Sequence, residues 1–365
     1  MVFRERATVY LFSILNMRKF IVKALFFSLP IAFLFVFTFV FYTTEKGDLI
    51  RIGYIINKGD YRSIFKKELV QKNFYTNVSS LNFGQQKKFT VLSIGDSFSG
   101  QKGYGYKNYL AQKPNISVLH LDRFLTNNPI ETAYGILNGD MLDKIKVDYI
   151  ILQSVERHIT RRVKKINKNR IITTDSLKIQ IKENEDKLKK EIEKESFPSQ
   201  RIIKFPLQNV LYFFDDDAYG SDAYQVTTDE FLFSNDNNRL LFLSSDLKAV
   251  KENNNVKSLA KLNTTLNELS NRLGEKGIKL IVLPSPDKYD FYYDHIINTK
   301  KYPKPLFFER FQKYPKQYIY INSKKILKQH EKLQKDLYFY DDTHWSPWSS
   351  KILANEIEKV ISFKK

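Results

Sequence analysis

The chain has 365 residues, 42% of them hydrophobic and 15% aromatic, which excludes a disordered or low-complexity protein. Lysine and arginine number 59 against 40 acidic residues, and the formal net charge of +19 favours an anionic bilayer surface, an acidic polymer or nucleic acid as neighbour. Cysteine is absent, which excludes disulfides, thiolate metal sites and cysteine nucleophiles, and five histidines argue against a dense histidine metal site.

A long apolar segment near the N-terminus predicts a membrane anchor. Residues 24–42 read ALFFSLPIAFLFVFTFVFY, uncharged and long enough for the hydrocarbon core of a bilayer. Arginines and lysines precede this segment, so the positive-inside rule places residues 1–23 in the cytoplasm. A cleaved signal peptide is the alternative, although no small-residue cleavage site follows the apolar run. The sequence leaves two alternatives for the first residue of the protein, Met1 and Met17.

The predicted orientation decides what the positive charge means. The rest of the chain would face outward from a bacterial inner membrane, into the periplasm. A domain in that place does not ordinarily meet nucleic acid, and no zinc finger or RNA-binding motif argues otherwise. We therefore expect no nucleic-acid partner, and we assign the basic surface to lipid headgroups or an acidic glycan.

The outer part reads as a lead-in followed by one domain. Residues 43–88 are mixed in polarity and read as a linker and irregular lead-in, and residues 89–365 form the expected domain. Short apolar runs bounded by polar residues predict buried strands at 89–94, 117–121, 147–152, 279–283 and 317–321. Helical patterns lie between them, the clearest being a leucine stripe that stops at Gly274 and Gly277. This alternation predicts a parallel sheet covered by helices on both faces.

Two segments depart from the alternating pattern. Residues 160–200 are strongly charged and predict a helical insertion, for which a solvated helix is favoured over a binding element. Residues 227–249 suggest a small β-rich excursion before the leucine-striped helix.

The first chemical signal is the segment Gly95-Asp96-Ser97-Phe98-Ser99, directly after the strand at 89–94. A serine on a turn between strand and helix projects its hydroxyl over the sheet edge where doubly wound sheets bind ligands. The N–H of Phe98 is then a candidate donor to a developing oxyanion, helped by the following helix N-terminus. A plain helix N-cap is the alternative interpretation of this turn.

The second signal is the segment YDDTHWS near the C-terminus. Serine is a poor nucleophile without an adjacent base, and histidine supplies that base when a carboxylate fixes its tautomer. Asp341 and Asp342 stand three and two residues before His344, within reach of its imidazole from the same loop. A surface-loop histidine is the alternative, but the two signals together favour a Ser–His–Asp site.

These segments resemble the SGNH/GDSL hydrolase superfamily, and more narrowly the SGNH-like proteins of alginate O-acetylation (AlgX and AlgJ) and the DHHW proteins. The resemblance is carried by GDSFS and by residues 149–158, 277–289 and 342–345. It implies a three-layer α/β/α, flavodoxin-like parallel sheet behind the N-terminal transmembrane helix. It also implies that Ser97 is the nucleophile and His344 the general base, with Asp342 or its alternative Asp341 orienting the imidazole.

The chain departs from these families in two ways. In the alginate proteins the Asp-x-His block precedes the serine block, whereas here it follows, as in ordinary SGNH hydrolases. The Gly-x-Asn-Asp block is missing, and Ser154-Val-Glu-Arg157 stands in its place, so no asparagine donor is assured for the oxyanion. Arg157 and Asp96 join Phe98 as oxyanion or substrate candidates, while pairing of Arg157 with Glu156 is the structural alternative.

Other residues near the expected active edge have weaker signals. Asp287, Lys288 and Tyr289 follow a predicted strand and read equally as substrate contacts or loop structure. Tyr104 and Tyr106 are candidates for stacking on sugar rings, with core packing favoured. The remaining histidines, 120, 158, 295 and 330, give no metal site, and His120 reads as a core residue.

The resulting hypothesis is an extracytoplasmic SGNH-type O-acyltransferase that acetylates a cell-envelope polysaccharide or exopolysaccharide. It implies a glycan acceptor, a polytopic membrane acyl-transfer protein as donor source, and neither cofactor nor metal. The alternatives are a carbohydrate esterase or deacetylase with the same triad, and a non-catalytic glycan-binding scaffold. The sequence cannot separate transferase from hydrolase, because the choice of acceptor depends on water exclusion at the acyl-serine.

Overall fold

The protein is described by a computed structural model that covers residues 2–42, 47–56, 61–84, 86–121, 128–191, 201–235 and 237–362. Its α-helices are α1 (Val2–Phe41), α2 (Asp48–Gly53), α3 (Lys66–Leu69), α4 (Tyr106–Ala111), α5 (Pro129–Asn138), α6 (Met141–Lys144), α7 (Glu156–Arg162), α8 (Thr174–Glu191), α9 (Arg201–Leu211), α10 (Ser244–Asn253), α11 (Val256–Gly274), α12 (Lys288–Tyr292), α13 (Phe307–Phe311), α14 (Ser323–Lys328) and α15 (Pro347–Ser362). Short 3₁₀ helices span Tyr61–Phe65, Val78–Ser80, Tyr293–His295 and Thr299–Lys301. The strands are β1 (Thr76–Asn77), β2 (Lys87–Ile94), β3 (Val118–Leu121), β4 (Ile145–Val155), β5 (Ala223–Thr227), β6 (Arg239–Leu243), β7 (Lys279–Ser285) and β8 (Ile319–Tyr320).

Six of the described strands form one parallel sheet, in the order β1-β3-β2-β4-β7-β8. Each of the five apolar runs lies in or across one of these strands, so the predicted parallel α/β architecture is confirmed. From β2 the chain first goes outward to β3 and then returns to β4 on the other side. The carboxyl ends of β2 and β4 therefore flank the switch point at which doubly wound sheets bind ligands.

The sheet buries apolar side chains on both faces, because successive residues of a strand point to opposite sides. Leu92 and Ile150 pack with the side chains of α5 and α11 on one face. Val91 and Ile151 pack with α4 and α15 on the other. The predicted leucine stripe is the buried side of α11, which ends at Gly274. The central strands are therefore held between two packed apolar faces.

The N-terminal helix is exposed along most of its apolar part. Within α1, Asn16–Phe41 is long and apolar enough to cross a membrane, and only 6% of its most apolar window is buried in the protein. Exposure of so many apolar side chains to water is unfavourable, whereas the hydrocarbon core of a bilayer accommodates them. The structure thus contains one candidate membrane span, at the place that the sequence predicts.

The lead-in folds onto the domain where the structure describes it. Leu49 and Ile50 of α2 and Phe65 are buried in the core, and β1 is the edge strand beside β3. Sequence analysis treats this stretch as linker because its apolar residues come in pairs and singles, without the periodicity of a long helix or strand. Residues 43–46, 57–60 and 85 of the lead-in lie outside the described residues.

The two segments that depart from the alternating pattern, residues 160–200 and 227–249, contain regular secondary structure. The charged stretch contains the end of α7 and the helix α8, of which Leu177 is buried and the described charged side chains are mostly exposed. Residues 192–200 lie outside the described part of the chain. The β-rich excursion is an antiparallel hairpin of β5 and β6 that begins at Ala223, slightly earlier than expected, and is followed by α10.

Candidate active site

The Gly-Asp-Ser turn lies at the carboxyl end of β2 and is clamped by β4. Gln153 Oε1 accepts the backbone N–H groups of Asp96, at 3.0 Å, and Ser99, at 3.2 Å. A Cβ at Gly95 would lie 2.6 Å from that oxygen and 2.2 Å from Ser99 Oγ, so only glycine permits this close approach. The glycine of the motif is thus required by packing between two neighbouring strands.

Asp96 has a structural role, because its carboxylate connects the turn to neighbouring elements. Its carboxylate accepts the Val155 N–H at 2.7 Å and the Arg162 guanidinium at 2.7 Å. Burial works to raise the pKa of Asp96, but the charge of Arg162 and the hydrogen bonds from Val155 and Arg162 together outweigh it and hold the pKa below its usual value. Asp96 also accepts the Phe98 N–H at 3.2 Å, because an aspartate readily caps the amide two residues on. The Phe98 amide, our candidate oxyanion donor, is therefore engaged within the turn.

Ser97 is half-buried, and in the described structure neither its hydroxyl nor its N–H makes a hydrogen bond. The next residue, Phe98, is fully buried and contributes its ring to the site. The ring centroid lies 4.7 Å from the His344 imidazole and 4.9 Å from the Trp345 indole. The two distant segments identified in the sequence therefore meet at one edge of the sheet.

A pair of hydrogen bonds locks these two segments together. Gln101 Nε2 donates to the Trp345 carbonyl oxygen at 2.8 Å, and Trp345 Nε1 donates to Gln101 Oε1 at 2.9 Å. Both side chains are buried. Because each residue acts as donor and acceptor, the pair fixes the relative position of the serine turn and the histidine loop.

His344 and Asp342 form the expected imidazole–carboxylate pair. Nδ1 of the imidazole lies 2.5 Å from Asp342 Oδ1, while Nε2 is buried and has no hydrogen-bond partner among the described residues. Burial works to lower the pKa of His344, but the Asp342 carboxylate outweighs it and raises that pKa above 6.5. A proton held on Nδ1 by Asp342 leaves the lone pair of Nε2 available to a nucleophile.

Two residues of the lead-in complete the site. Arg62 bridges the acidic pair, with Nε 3.0 Å from Asp341 and Nη2 2.9 Å from Asp342. Asp48 accepts the Thr343 N–H at 2.8 Å and its hydroxyl at 2.7 Å, which fixes the loop next to the imidazole. No motif in the sequence marks either residue, and the apolar pair after Asp48 is the one sign there of burial.

The two aspartates before the histidine have different environments. Asp341 makes no described contact with the imidazole. Its carboxylate accepts hydrogen bonds from the Gly47 N–H, at 3.2 Å, and from the Arg62 guanidinium. The Asp341 carbonyl accepts the Leu49 N–H at 3.2 Å, which attaches the loop to α2. The geometry therefore favours Asp342 as the carboxylate that orients His344, and gives Asp341 an anchoring position.

Lys288 holds the histidine loop in place through hydrogen bonds to its backbone. Its fully buried Nζ donates to the carbonyl oxygens of Phe339 and Tyr340, each at 2.7 Å, and of Asp342 at 3.3 Å. Burial lowers the pKa of Lys288 to about 7, although nearby carboxylates, Asp341 first, act in the opposite direction. Three carbonyl acceptors match the three N–H groups of an ammonium, so the structure favours loop support over substrate contact for this residue.

Arg157 is engaged in a buried ion-pair cluster. Its Nη1 lies 2.6 Å from Asp287 and 3.3 Å from Asp246, and the pKa of Arg157 is raised, since these carboxylates outweigh its burial. Glu156 instead accepts the Asp287 N–H at 3.1 Å, so the alternative pairing of Glu156 with Arg157 is not formed. Buried carboxylates need a cation, and this requirement explains why the arginine is held there and not extended toward a substrate.

The remaining aromatic and histidine candidates lie in packed surroundings. Tyr106 is fully buried, with its hydroxyl 3.0 Å from Ser93 Oγ and 2.8 Å from Ser99 Oγ, and is thus a core residue. Tyr104 is partly buried and packs edge-on against Phe339 at 6.0 Å. His120 is buried within β3, as predicted.

Asp48, Asp342 and His344 are close enough to raise the question of a metal ion. One ligand atom of each lies within 4.8 Å of the others. Each carboxylate oxygen already accepts a hydrogen bond, from Thr343, from the imidazole or from Arg62. The grouping is thus accounted for by a hydrogen-bond network that orients the imidazole.

Part of this site lies within a region that resembles a known family. Residues 237–365 match the family model of the SGNH hydrolase-like domain of the acetyltransferase AlgX. The match covers about a third of the chain and includes Asp341, Asp342 and His344, but not Ser97 or Arg157. No curated protein and no solved structure matches the chain. The resemblance to SGNH-like proteins of the AlgX kind is thus confirmed.

Proposed function

We propose that the protein is a membrane-anchored SGNH-type O-acyltransferase that acetylates a hydroxyl of a cell-envelope polysaccharide or exopolysaccharide outside the cytoplasm. The observation that carries the proposal is the meeting of the serine turn with an oriented imidazole: the Phe98 ring lies 4.7 Å from His344, and Asp342 holds Nδ1 at 2.5 Å. The match to an acetyltransferase family model supports acetyl as the transferred group.

The first half of the reaction forms an acetyl-serine. Ser97 Oγ attacks the donor carbonyl carbon while His344 Nε2 takes its proton, and the charge of the imidazolium is balanced by Asp342. The Ser97 N–H, which has no acceptor in the described structure, is available to the oxyanion of the tetrahedral intermediate. Collapse of the intermediate expels the donor's leaving group, which receives the proton from Nε2. The acetyl group is then bound to Ser97 as an ester.

The second half transfers the acetyl group to a sugar. A sugar hydroxyl gives its proton to His344 Nε2 and attacks the acetyl-serine carbonyl carbon. The bond to Ser97 Oγ then breaks, and that oxygen takes the proton back. Water in place of the sugar would make the protein an esterase, so exclusion of water from the acetyl-serine decides between the two activities.

A cavity beside the histidine loop supports a glycan as acceptor. The cavity has a volume of about 550 Å³ and is lined by Tyr340, the residue before the acidic pair. Its walls also carry amide side chains, from Gln225, Asn235, Asn237 and Asn238, together with Arg239. Amides, a tyrosine and an arginine are groups that hydrogen-bond sugar hydroxyls and acidic substituents.

The proposed location rests on α1. An uncleaved span with its N-terminus in the cytoplasm would hold the catalytic domain outside, on the periplasmic side of an inner membrane. Because acyl donors are made inside the cell, a reaction on the outer side requires a polytopic membrane protein that passes the acetyl group across. That partner and the acceptor glycan are the two interactions which the proposal implies.

The role of Ser97 is tested by trapping the acyl-enzyme. We expect the full chain in detergent to release a burst of chromophore from an activated acetyl ester and to carry one acetyl group on Ser97 by mass spectrometry. The variant Ser97→Ala should lose both the burst and the adduct. Ser99→Ala is the matched control, since Ser99 bonds the buried Tyr106 hydroxyl and should leave the adduct on Ser97. An undiminished burst in Ser97→Ala would refute the proposed nucleophile.

The acceptor is tested separately with the same acetyl-enzyme. A transferase should lose its acetyl-serine faster when envelope or exopolysaccharide oligosaccharides are added, with acetylated sugar as product. Free acetate formed at the same rate with and without glycan would instead establish the esterase.

A further inference from the structure

Helix α9 packs one of its faces against the membrane-anchor helix. Phe205, on that face, is buried, and its ring lies 5.9 Å from Phe37 and 5.5 Å from Tyr42 of the N-terminal segment. A third ring, that of Tyr54, lies 6.3 Å from Phe205. The aromatic cluster thus joins α9, the end of α1 and the start of the outer domain.

The position of this contact along α1 sets the depth of α9. On the covered side of α1, Thr38 is buried and Leu34 is half-buried, whereas Val36 on the opposite side is 57% exposed. These residues belong to the last two turns of the candidate span, a rise of about 12 Å. If α1 spans a bilayer to Phe41, α9 therefore lies beside apolar membrane and not in water.

The other side of α9 is apolar and exposed. Ile203, Leu207 and Val210 are 62%, 50% and 55% exposed, and Phe214 just beyond the helix is 74% exposed. Their spacing of four, three and four residues places them in one stripe along the helix. An exposed apolar stripe of this length is unfavourable in water, but it is typical of helices that lie in a membrane interface.

We propose that α9 is an interfacial helix whose stripe of Ile203, Leu207, Val210 and Phe214 lies in the leaflet on the domain's side of the membrane that α1 spans. The inference rests on the proposed anchoring of α1 and is independent of the chemistry at Ser97. Lipid is favoured as the occupant because the stripe is continuous with the apolar end of α1. The excess of basic residues in the rest of the chain adds attraction to anionic headgroups.

The absence of cysteine makes a direct test possible, since a single introduced cysteine carries a fluorescent label without background. Leu207→Cys and Val210→Cys report on the stripe. Phe27→Cys, on a residue of α1 that is 75% exposed, reports on the span itself. Glu275→Cys is the control, because that exposed turn precedes β7 at the sheet edge opposite to Ser97. The full chain is reconstituted alone in phosphatidylcholine–phosphatidylglycerol vesicles, with or without brominated acyl chains.

We expect brominated lipid to quench the labels at positions 207 and 210 to an extent comparable with position 27, and to leave position 275 unquenched. Adding Ile203→Asp and Phe214→Asp to the Leu207→Cys chain should reduce the quenching at position 207. Quenching at position 27 in a parallel Phe27→Cys chain with the same two aspartates should persist, which shows that the altered protein is still inserted.

Three outcomes would overturn the proposal, and each has a distinct meaning. Quenching at position 27 without quenching at 207 and 210 leaves the anchor intact and removes α9 from the membrane. No quenching at any position refutes the anchoring as well. Labels at 207 and 210 that are shielded from water but not quenched, and that respond to the protein-to-lipid ratio, show that a second copy of the chain covers the stripe.

Discussion

At the scale of single residues, the site is organised around one imidazole nitrogen. His344 Nε2 is buried and has no partner within the part of the chain that the structure describes, while Nδ1 is held at 2.5 Å by Asp342, which is itself held by Arg62. The pKa of Asp342 is held well below its usual range, since His344 and Arg62 outweigh its burial. A carboxylate that stays ionised keeps the imidazole in the tautomer that a base requires.

The pH dependence of acylation follows from this pair. In the proposed mechanism the base is neutral His344, whose pKa is raised above the ordinary histidine value of 6.5, so we expect the second-order rate constant of Ser97 acylation to rise with pH to a midpoint above that value. Replacing Asp342 by asparagine removes the group that raises this pKa. In Asp342→Asn the midpoint should therefore move to lower pH, and the plateau rate should fall by about 10⁴-fold.

The neighbouring aspartate provides the control for this pH profile. Asp341 pairs with Arg62 and contacts no atom of the imidazole in the described structure, so Asp341→Asn should keep the wild-type midpoint. Stopped-flow rates with an activated acetyl ester, measured from acid to mildly alkaline pH so that the plateau is reached, give all three profiles. A midpoint that moves in Asp341→Asn and not in Asp342→Asn would reverse the assignment of the two carboxylates.

At the scale of elements, the turn after β2 is shaped by β4. Gln153 accepts two N–H groups of the turn, and Gly95 leaves room for its oxygen. Gln101 then connects the turn to Trp345 of the histidine loop. The position of Ser97 is therefore determined by three elements that are far apart in the sequence.

Adding one methyl group at Gly95 should disturb this arrangement. A Cβ there would be 2.2 Å from Ser99 Oγ and 2.6 Å from Gln153 Oε1, so we expect Gly95→Ala to lose about 1–3 kcal/mol of stability and most of the acetyl-serine burst. Gly274→Ala is the matched control, because a Cβ at the end of α11 meets nothing within 4 Å. The thermal unfolding midpoint in detergent measures both, and a wild-type midpoint for Gly95→Ala would contradict the packing argument.

The central elements could be predicted from the sequence, because a buried parallel strand is a short, continuous apolar run. Five such runs lie in or across β2, β3, β4, β7 and β8. The edge strand β1 could not be predicted, since two residues carry no period. Asp342 and His344 lie close together in the sequence as well as in space, so their pairing was predictable.

The contributions of Asp48 and Arg62 were not predictable, because they depend on tertiary contacts across almost the whole chain. The role of the Phe98 amide was also not foreseen. Whether the Asp96 carboxylate accepts that N–H depends on the rotamer of Asp96, which a motif does not specify. The same holds for Arg157, whose partners Asp246 and Asp287 come from two other elements.

At the scale of the whole molecule, the lead-in is part of the candidate site. It supplies Asp48 and Arg62 to the histidine loop, and it buries Leu49 and Phe65 in the core. A boundary at residue 89, where the apolar strand pattern begins, would separate these groups from the loop that they hold.

Two truncated chains test this boundary. We expect residues 47–365 to fold and to form acetyl-Ser97, because all the described contacts of the site are retained. Residues 89–365 should unfold at lower temperature and lose the burst, since they lack Asp48, Arg62 and β1. Arg62→Lys in the full chain separates catalysis from folding: it keeps a cation beside the buried carboxylates, so the unfolding midpoint should stay close to wild type, while loss of the guanidinium bridge to Asp341 and Asp342 should lower the burst. Equal bursts from the two truncated chains would show that the lead-in is dispensable.

The attachment of Gly47 to Asp341 limits where this chemistry can take place. Tyr42 ends the apolar segment and Gly47 already contacts the histidine loop, so five peptide steps, at most about 18 Å, separate them. With α1 inserted in a bilayer, the His344 imidazole stays close to the membrane surface and cannot follow a polymer into bulk solution. Encounter with a membrane-borne donor becomes a two-dimensional search at high effective concentration. Under the proposed function, we therefore expect a polysaccharide acceptor to be acetylated as it emerges from the membrane, before the finished strand diffuses away.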